Sequence, residues 1–292
     1  MFPIEKYYQA SSVADAVKAL SNDPKSRILA GGTDILVRLH GGNLDYGRVV
    51  DINHLDDLRK IRMDDEGNIH IGALACCNDI IENDIVRKHL PMVSEALATI
   101  GGPQVRNCAT MGGNICNGAV SADSACAALV YELDLAVVGA TGQRIESING
   151  FHTGPGRTIL AQNDVLTSFI ARPENYQGLT AGYKKYAMRG AMDIATIGCG
   201  VGIRMAEKTI TMMKLAFTVA APRPIRCHKA EAVMVGKEFS EENLAAMTDA
   251  LAEDVMPRTS WRASKEFRLH IIKTLARREL CRAVENQGAV QQ

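Results

Sequence analysis

Ala30-Gly31-Gly32-Thr33-Asp34 is one of two glycine-rich segments that decide how this 292-residue sequence folds, and the other is Thr110-Met111-Gly112-Gly113-Asn114. Glycine reaches positive φ and lets a ligand approach without meeting a side chain, so consecutive glycines can present several amide donors to a phosphate. Either segment alone is more simply interpreted as an ordinary turn. Together they favour a clasp around one pyrophosphate, to which Thr33 and the flanking Thr110 and Asn114 would add side-chain partners.

The first segment lies between a predicted strand and a predicted helix. Arg27 to Ala30 is a short apolar run typical of a buried strand, and Ile35 to Leu39 begins a helix-like run. That helix would direct the positive end of its dipole towards a bound anion. Upstream, apolar residues at helical spacing from Ser12 to Leu20 predict a short helix behind a serine cap.

Hydrophobic periodicity predicts the other elements. Ala125 to Leu135, which follows the second glycine segment, is compatible with a helix or a strand. Pro173 to Gly182 is polar and is the best candidate for a domain boundary. Elsewhere we expect strands over 48–52, 69–73, 194–204 and 214–219, and helices over 83–100 (interrupted at Pro91), 240–253 and 264–285. The region after the boundary is therefore predicted to be an α+β domain.

Composition limits the possible functions. Apolar residues make up 47% of the chain and charged residues 23%, as in globular proteins. Lys plus Arg and Asp plus Glu both number 33, so no overall charge attracts nucleic acid or an anionic membrane. No apolar run approaches the roughly 20 residues needed to span a bilayer, and the first twenty residues lack a secretory pattern. The expected location is the cytoplasm.

Several catalytic and metal-binding patterns are missing from the sequence. The eight cysteines include no C-x-x-C pair, so no metal site is predicted, and Cys116 is the thiol to test for reactivity. Gly198-Cys199-Gly200-Val201-Gly202 lacks the G-x-G-x-x-G spacing of a dinucleotide fold and is better explained as a strand. His152 and His228 are interpreted as surface or hydrogen-bonded histidines. No catalytic residue is assigned.

The two glycine segments, followed by Ser121-Ala122-Asp123, resemble the FAD-binding subunits of the molybdenum hydroxylases, the family that serves xanthine dehydrogenase and carbon monoxide dehydrogenase. The resemblance continues in family order over nearly the whole chain, through Lys185-Tyr186-Ala187-Met188-Arg189, Asp193-Ile194-Ala195, Ala221-Pro222-Arg223-Pro224-Ile225-Arg226 and Ala230-Glu231. The stretches Ile148 to Gly156 and Ser260 to Arg268 look most like bacterial xanthine dehydrogenase FAD subunits.

The resemblance implies an α+β fold of the vanillyl-alcohol-oxidase and CO-dehydrogenase-flavoprotein type. An N-terminal FAD-binding domain over 1–176 would consist of two lobes, about 1–55 and 56–176. A smaller α+β domain of the CO-dehydrogenase-flavoprotein type would follow over 177–292. The suspected boundary between Pro173 and Gly182 agrees with this division.

The resemblance also assigns cofactor contacts position by position. It implies two pyrophosphate-binding loops, an adenine contact at Ile100 and Gly101, and an Asp123 that binds hydroxyl groups. It also implies that Val165 and Leu166 line the cofactor and that Lys185 lies near the flavin ring. The expected set is Ile28, Leu29, Ala30, Gly31, Gly32, Thr33, Asp34, Ile35, Ile100, Gly101, Thr110, Gly113, Asn114, Asn117, Asp123, Val165, Leu166 and Lys185.

Each assignment has a plain alternative. Asp34 and Asp123 could cap helices that begin near them. Lys185 follows Lys184, and such a pair usually belongs to a solvated face. Ile100, Val165 and Leu166 would be core residues in most proteins.

By resemblance, this chain is an FAD-containing electron-transfer subunit of a xanthine dehydrogenase, an enzyme of purine metabolism. It would take electrons from iron–sulfur clusters in a small partner subunit, downstream of a molybdopterin-containing large subunit, and pass them to NAD. Carbon monoxide, nicotinate or aldehyde hydroxylases are alternatives within the family. A self-sufficient flavin oxidoreductase and a non-enzymatic assembly subunit are alternatives outside it.

Overall fold

Three sheets follow one another along the chain, as seen in a computed structural model that describes residues 3–290. The strands of the first sheet lie between residues 6 and 51, those of the second between 61 and 171, and those of the third between 180 and 226. The structure thus has the mixed α and β content that the sequence predicts.

The first region is a three-stranded parallel sheet with two helices. Ser12 caps the first helix, since its hydroxyl accepts a hydrogen bond from the Asp15 amide at 3.1 Å. The strand order is β1-β3-β2. The elements are β1 (Lys6–Gln9), α1 (Val13–Asn22), β2 (Arg27–Leu29), α2 (Ile35–His40) and β3 (Arg48–Asp51). The predicted strand and helix on either side of the first glycine segment are confirmed.

The second region is a five-stranded antiparallel sheet covered by helices, with strand order β4-β5-β10-β6-β7 and a separate β8-β9 hairpin. Its strands are β4 (Ile61–Met63), β5 (Ile69–Gly72), β6 (Asp134–Gly139), β7 (Gly142–Ser147), β8 (His152–Gly154), β9 (Arg157–Thr158) and β10 (Val165–Ala171). Its helices are α3 (Cys77–Glu82), α4 (Asp84–His89), α5 (Pro91–Ala98), α6 (Pro103–Arg106), α7 (Met111–Cys116) and α8 (Asp123–Val130). As predicted, a new helix begins at Pro91.

Two stretches that the sequence left ambiguous or misassigned are resolved here. Ala125 to Leu135 is neither one helix nor one strand, because α8 ends at Val130 and β6 begins at Asp134, with Glu132 in the left-handed conformation (φ 48°) between them. The second glycine segment is not a turn but the beginning of α7. Two adjacent glycines disfavour a helix, so its formation depends on the cap and packing described below.

The third region is a four-stranded antiparallel sheet with strand order β11-β12-β13-β14. The short helix α9 (Pro173–Tyr176) precedes it. Its elements are β11 (Thr180–Tyr186), β12 (Ile197–Ala206), β13 (Thr209–Thr218), β14 (Ile225–Arg226), α10 (His228–Met234), α11 (Glu241–Asp254) and α12 (Lys265–Val290). The predicted strands and amphipathic helices of this region are confirmed.

The glycines of β12 explain how the third sheet packs on the second region. A Cβ atom on Gly200 would lie 2.1 Å from the Met92 Cε, and one on Gly202 would lie 2.7 Å from the Val130 Cγ1. Glycine therefore allows the strand to pack closely against α5 and α8, and the Gly198 to Gly202 pattern is a strand, as the sequence predicts. Between residues 3 and 290, no helix has both the length and the apolar character needed to cross a membrane.

Candidate functional site

A cavity of about 640 Å³ lies where the first and second regions meet, and both glycine segments line it. This volume falls within the roughly 300–1,000 Å³ of typical ligand pockets. The wall is formed by residues 26–28, 30–35, 38, 46 and 52 of the first region and by residues 73–74, 100, 105, 109–110, 112–114, 116–117, 153, 156–158, 160–162 and 164–166 of the second.

The first glycine segment lines this cavity and has unused backbone donors. Among residues 3–290, no hydrogen-bond acceptor is found for the amides of five consecutive residues, Gly31, Gly32, Thr33, Asp34 and Ile35. Gly32 adopts φ 74°, which reverses the chain direction between β2 and α2. A run of free N–H groups in such a turn is an arrangement that binds anions.

Gly31 is required by packing rather than by a ligand. A Cβ atom there would lie 1.9 Å from the carbonyl oxygen of Cys108. The backbone just before the second glycine segment thus lies directly against the first segment. This contact holds the two segments next to each other in the wall of one cavity.

The second glycine segment uses its amides within the protein. Thr110 caps α7 and accepts a hydrogen bond from the Gly113 amide at 3.0 Å, while the Gly112 amide donates to Ala73 O at 3.1 Å and the Asn114 amide to Thr110 O at 3.0 Å. The expectation that both segments present amide donors is therefore wrong for the second one. A helix with an occupied cap leaves fewer free N–H groups than a loop.

The two glycines of this helix serve different purposes. A Cβ on Gly112 would lie 2.4 Å from Ala73 O, so this glycine packs against the protein. A Cβ on Gly113 would meet only the Thr110 hydroxyl within 4 Å, at 3.0 Å, and would otherwise face open space in the cavity. Gly113 therefore leaves room for a ligand in the cavity that residues 31–35 also line.

Positive charge predominates along the cavity. Arg27, Arg38 and Arg157 line it, and none of the three has an ion-pair partner among residues 3–290. The Arg38 guanidinium donates to the Tyr46 hydroxyl at 2.6 Å and to the Asn117 Oδ1 at 3.1 Å, so it bridges the two regions through neutral groups. Fixed guanidinium groups without carboxylate partners favour an anionic ligand.

The carboxylates of the cavity offset only part of this charge. Burial would raise the pKa of Asp164, but two hydrogen bonds from Arg144, at 2.6 and 3.0 Å, hold its pKa below the usual range. Asp34 stands at the start of α2, yet its side chain makes no capping hydrogen bond, so the capping alternative is not supported. The Asp34 carboxylate remains available to a donor group of a ligand, such as a sugar hydroxyl.

An apolar part of the wall completes the site. Ile100, Val165 and Leu166 line the cavity together with Val105 and Leu160. Val165 and Leu166 are buried, as the core alternative requires, and they also face the cavity. Their two roles are compatible, because a buried residue beside a cavity is part of the core and part of the wall.

Most of the predicted contacts line the cavity, but four do not, namely Leu29, Gly101, Asp123 and Lys185. Asp123 begins α8 and is buried. Its carboxylate accepts hydrogen bonds from the Tyr183 hydroxyl at 2.5 Å and the Lys185 ammonium at 2.9 Å. Burial raises the pKa of Asp123, while Lys185 opposes that effect.

The Asp123 cluster joins β11 to the second region. Lys185 also donates to Thr99 O at 3.1 Å, and its side chain is only 9% exposed, so it does not belong to a solvated face. Asp123 does not cap α8 through its side chain, because Ala122 occupies the cap position. Both plain alternatives are thus wrong, and the pair is a buried interdomain contact beside the segment that carries Ile100.

Two further sequence predictions are settled by burial. Burial raises the pKa of the Cys116 thiol to about 12, so this cysteine is protonated near neutral pH and is a poor nucleophile. His152 is buried rather than exposed, and its Nε2 lies 3.1 Å from Ile115 O in α7. It thereby holds the helix that carries Gly113.

The sequence interpretation missed Arg38, Tyr46 and Arg157. Arg38 follows Asp34 by four residues on α2, so helical periodicity could have placed it one turn beyond the glycine segment. Arg157 and Tyr46 reach the cavity only through the β8-β9 hairpin and the turn before β3. No local signal marks either residue.

Comparison with known families and proteins agrees with this geometry. Residues 2–171 match the family described as FAD binding domain in molybdopterin dehydrogenase, and residues 182–283 match the CO dehydrogenase flavoprotein C-terminal domain. The chain is 43% identical to the xanthine dehydrogenase FAD-binding subunit of Escherichia coli O157:H7, covering 99% of each chain. It is 31% identical to the carbon monoxide dehydrogenase medium chain of Hydrogenophaga pseudoflava, covering 95% of this chain and 96% of the other.

A solved structure shares the complete architecture. The carbon monoxide dehydrogenase from Hydrogenophaga pseudoflava contains a chain that superposes with a TM-score of 0.93 at 30% sequence identity, covering 98% of this chain and 99% of that chain. The similarity includes the third sheet and its helices as well as the two regions that form the cavity.

Proposed function

Since the chain belongs to the FAD-binding subunits of the molybdenum hydroxylase family, we propose that it binds FAD in the cavity between its first two regions and serves as an electron-transfer subunit. The placement of FAD in this cavity rests on one combination of features. Five free amides belong to residues that line the cavity, unpaired guanidiniums lie along it, and Gly113 leaves part of its wall open. This combination fits the diphosphate of a flavin dinucleotide.

Different groups of the cavity would bind different parts of FAD. The amides of residues 31–35 and the Arg38 guanidinium would hold the diphosphate, and the Asp34 carboxylate would accept hydrogen bonds from hydroxyl groups. The apolar wall at Ile100, Val165 and Leu166 would exclude water from the ring systems. Lys185 and Asp123, which pair with each other, would contribute from outside the cavity by fixing the third region against the second. FAD itself supplies the capacity to accept and release one or two electrons.

The finer proposal is a xanthine dehydrogenase FAD subunit that receives electrons from an iron–sulfur chain, next to a molybdopterin-containing chain, and delivers them to NAD. It rests on 43% identity over nearly the full length to proteins of that name. The medium chains of carbon monoxide and glyceraldehyde dehydrogenases, at 31% and 29% identity, represent the other substrate classes. The boundary at residues 176 and 177, and the cytoplasmic location, remain predictions.

A self-sufficient flavin oxidoreductase is less well supported. It would need a base that removes a substrate proton beside the flavin. The titratable acids of the cavity wall are Asp34, which is exposed, and Asp164, which is paired with Arg144. No histidine lines the cavity among the residues described.

The test is the flavin content of the purified chain and of Gly113→Trp. An indole at Gly113 would fill the open space that this glycine leaves in the cavity, so we expect the wild type to hold FAD nearly stoichiometrically and the variant to be folded and colourless. Visible absorption and the mass of the released cofactor measure this. Gly288→Trp, at an exposed helical glycine with open space around it, is the matched control and should keep its FAD. Equal flavin in both variants would show that the cofactor lies elsewhere.

A further inference from the structure

Three consecutive carbonyl groups beside the cavity have no backbone partners. They belong to the segment 99–101, which follows α5 and contains Ile100, a residue of the cavity wall. The residue four positions after Thr99 is Pro103, which has no N–H to continue the helical hydrogen bonding. Gly101, at φ 50°, turns the chain out of the helix. Among residues 3–290, no backbone amide is found that donates to these three carbonyl oxygens.

Two cationic side chains replace the missing amides. The Arg106 Nη1 donates to Ile100 O at 3.0 Å and to Gly101 O at 3.4 Å. The Lys185 ammonium, from the third region, donates to Thr99 O at 3.1 Å. Positive charge is favourable near the carbonyl end of a helix, and hydrogen bonds from charged donors are stronger than neutral ones. Side chains therefore fix the backbone at Ile100, where regular secondary structure does not.

Arg106 is itself held in one orientation. It is the last residue of α6, and its Nε donates to the Asn78 Oδ1 on α3 at 3.2 Å. The Asn78 amide group donates in turn to the Asn107 Oδ1 at 2.5 Å. No carboxylate pairs with Arg106 among residues 3–290, so its hydrogen bonds serve neutral oxygens. The guanidinium thus connects α3 to the segment 99–101.

The same arginine holds a second part of the apolar wall. Val105 precedes Arg106 on α6, and Val105 and Ile100 both line the cavity, whereas Arg106 does not. A Cβ on Gly101 would lie 2.9 Å from the Val105 Cβ, so α6 packs directly on the segment 99–101. Loss of the Arg106 hydrogen bonds would therefore free both apolar residues to move.

We propose that Arg106 is a positioning residue of the cofactor site, which acts on bound FAD through Ile100 and Val105 without touching it. The inference rests on the proposed function. A wall that is already ordered binds a ring system more tightly, because less conformational freedom is lost on binding. Arg106 supplies that order at the end of α5, where the backbone carbonyls have no amide partners.

The experiment compares Arg106→Met with Arg204→Met. Arg204, on β12, is partly exposed like Arg106, has no carboxylate partner among residues 3–290, and donates to two backbone carbonyls, those of Glu174 and Gln177. It lies outside the cavity wall. Flavin fluorescence titration of each full chain, freed of flavin, measures the FAD dissociation constant, and urea denaturation measures the free energy of unfolding. Arg106→Lys, which keeps the charge, tests rescue.

We expect the FAD dissociation constant to rise about ten-fold in Arg106→Met, about three-fold in Arg106→Lys and less than about two-fold in Arg204→Met. The two methionine variants should lose similar stability, because each leaves two carbonyls without their donor. Wild-type affinity in Arg106→Met would overturn the inference. Equal weakening in Arg204→Met would also overturn it, since FAD binding would then follow stability alone.

A double-mutant cycle tests whether Arg106 acts through Ile100. Ile100→Ala removes most of the side chain that the arginine positions, so in that background Arg106→Met should weaken FAD binding about three-fold rather than about ten-fold. An undiminished loss in both backgrounds would show that Arg106 acts by another route and would overturn the inference. A wild type that binds FAD no better than Arg106→Met contradicts this inference alone, whereas a wild type that holds no FAD contradicts the proposed function as well.

Discussion

The two glycine-rich segments look alike in sequence but differ in structure. In the first, residues 31–35 line the cavity and their amides are free, and the helix that follows has no side-chain cap. In the second, Thr110 caps the helix and the amides of Gly112 and Gly113 are bonded within the protein. The first segment thus has backbone donors available for a ligand, whereas the second uses its donors within the protein and leaves open space at Gly113.

The difference shows that glycine can be needed at one position because the protein leaves no room for a side chain and at another because a ligand needs the room. Gly31 and Gly112 have no room for a side chain because backbone carbonyls of Cys108 and Ala73 occupy that space. Gly113 has room, and the space it leaves belongs to the cavity. Substitutions at the packed glycines should therefore affect folding, while substitutions at Gly113 should affect the ligand.

The largest effect is expected for Gly31→Ala. Its methyl group would overlap Cys108 O, so the two segments must separate, and we expect a loss of about 3 kcal/mol in the free energy of unfolding together with loss of FAD. Chemical denaturation and flavin absorption measure the two effects. Gly154→Ala, where a Cβ meets nothing within 4 Å, is the control. A stable, FAD-bound Gly31→Ala protein would disprove the packing role.

Arg38→Met should weaken FAD binding without unfolding the chain. The guanidinium is exposed and held by neutral partners, so we expect about a ten-fold increase in the dissociation constant, equivalent to about 1.4 kcal/mol. The loss should shrink at high salt, because salt screens the interaction with the diphosphate. Flavin fluorescence titration measures it. Arg278→Met on α12 is the control, and equal affinities would contradict a role for Arg38 in the site.

A pair of threonine variants contrasts the two segments directly. Thr110→Val removes the cap of α7, so we expect a loss of about 1 kcal/mol in the free energy of unfolding. Thr33 has no hydrogen-bond partner among residues 3–290, so Thr33→Val should leave stability unchanged and weaken FAD binding several-fold. Thermal unfolding and FAD titration of both variants test this. Equal losses of stability in Thr33→Val and Thr110→Val would contradict the difference between the two segments.

The smallest effect concerns pH. Burial lowers the pKa of His152, which the hydrogen bond to Ile115 O only partly offsets. The unfolded chain binds a proton at this histidine below about pH 6.5, whereas the folded chain resists it, so stability is full above that pH and falls as pH decreases. We expect the contribution of His152 to the free energy of unfolding to fall as the pH is lowered from about 7.5 to about 5. Urea unfolding of wild type and His152→Gln should show a flatter pH dependence in the variant.

Local sequence patterns were sufficient for most elements. Strand β2, helix α2 and the break before Pro91 were predictable because apolar periodicity and the proline are local features of the sequence. Most of the residues that the resemblance to flavin subunits assigns to the cofactor, including Ile28, Thr110 and Asn117, line one cavity. The second glycine segment was predicted as a turn because glycine disfavours helices, and its cap and its packing against Ala73 outweigh that preference.

The sequence by itself determined the order of the elements, the two glycine segments and the family to which they belong, since these depend on residues close together in the chain. Only the tertiary structure decided which amides remain free, that Asp123 pairs with Lys185, and that Arg38 bridges to Asn117. These contacts join residues more than sixty positions apart. Free donors and unpaired charges are defined by what the rest of the folded chain leaves unsatisfied, and no local pattern records that.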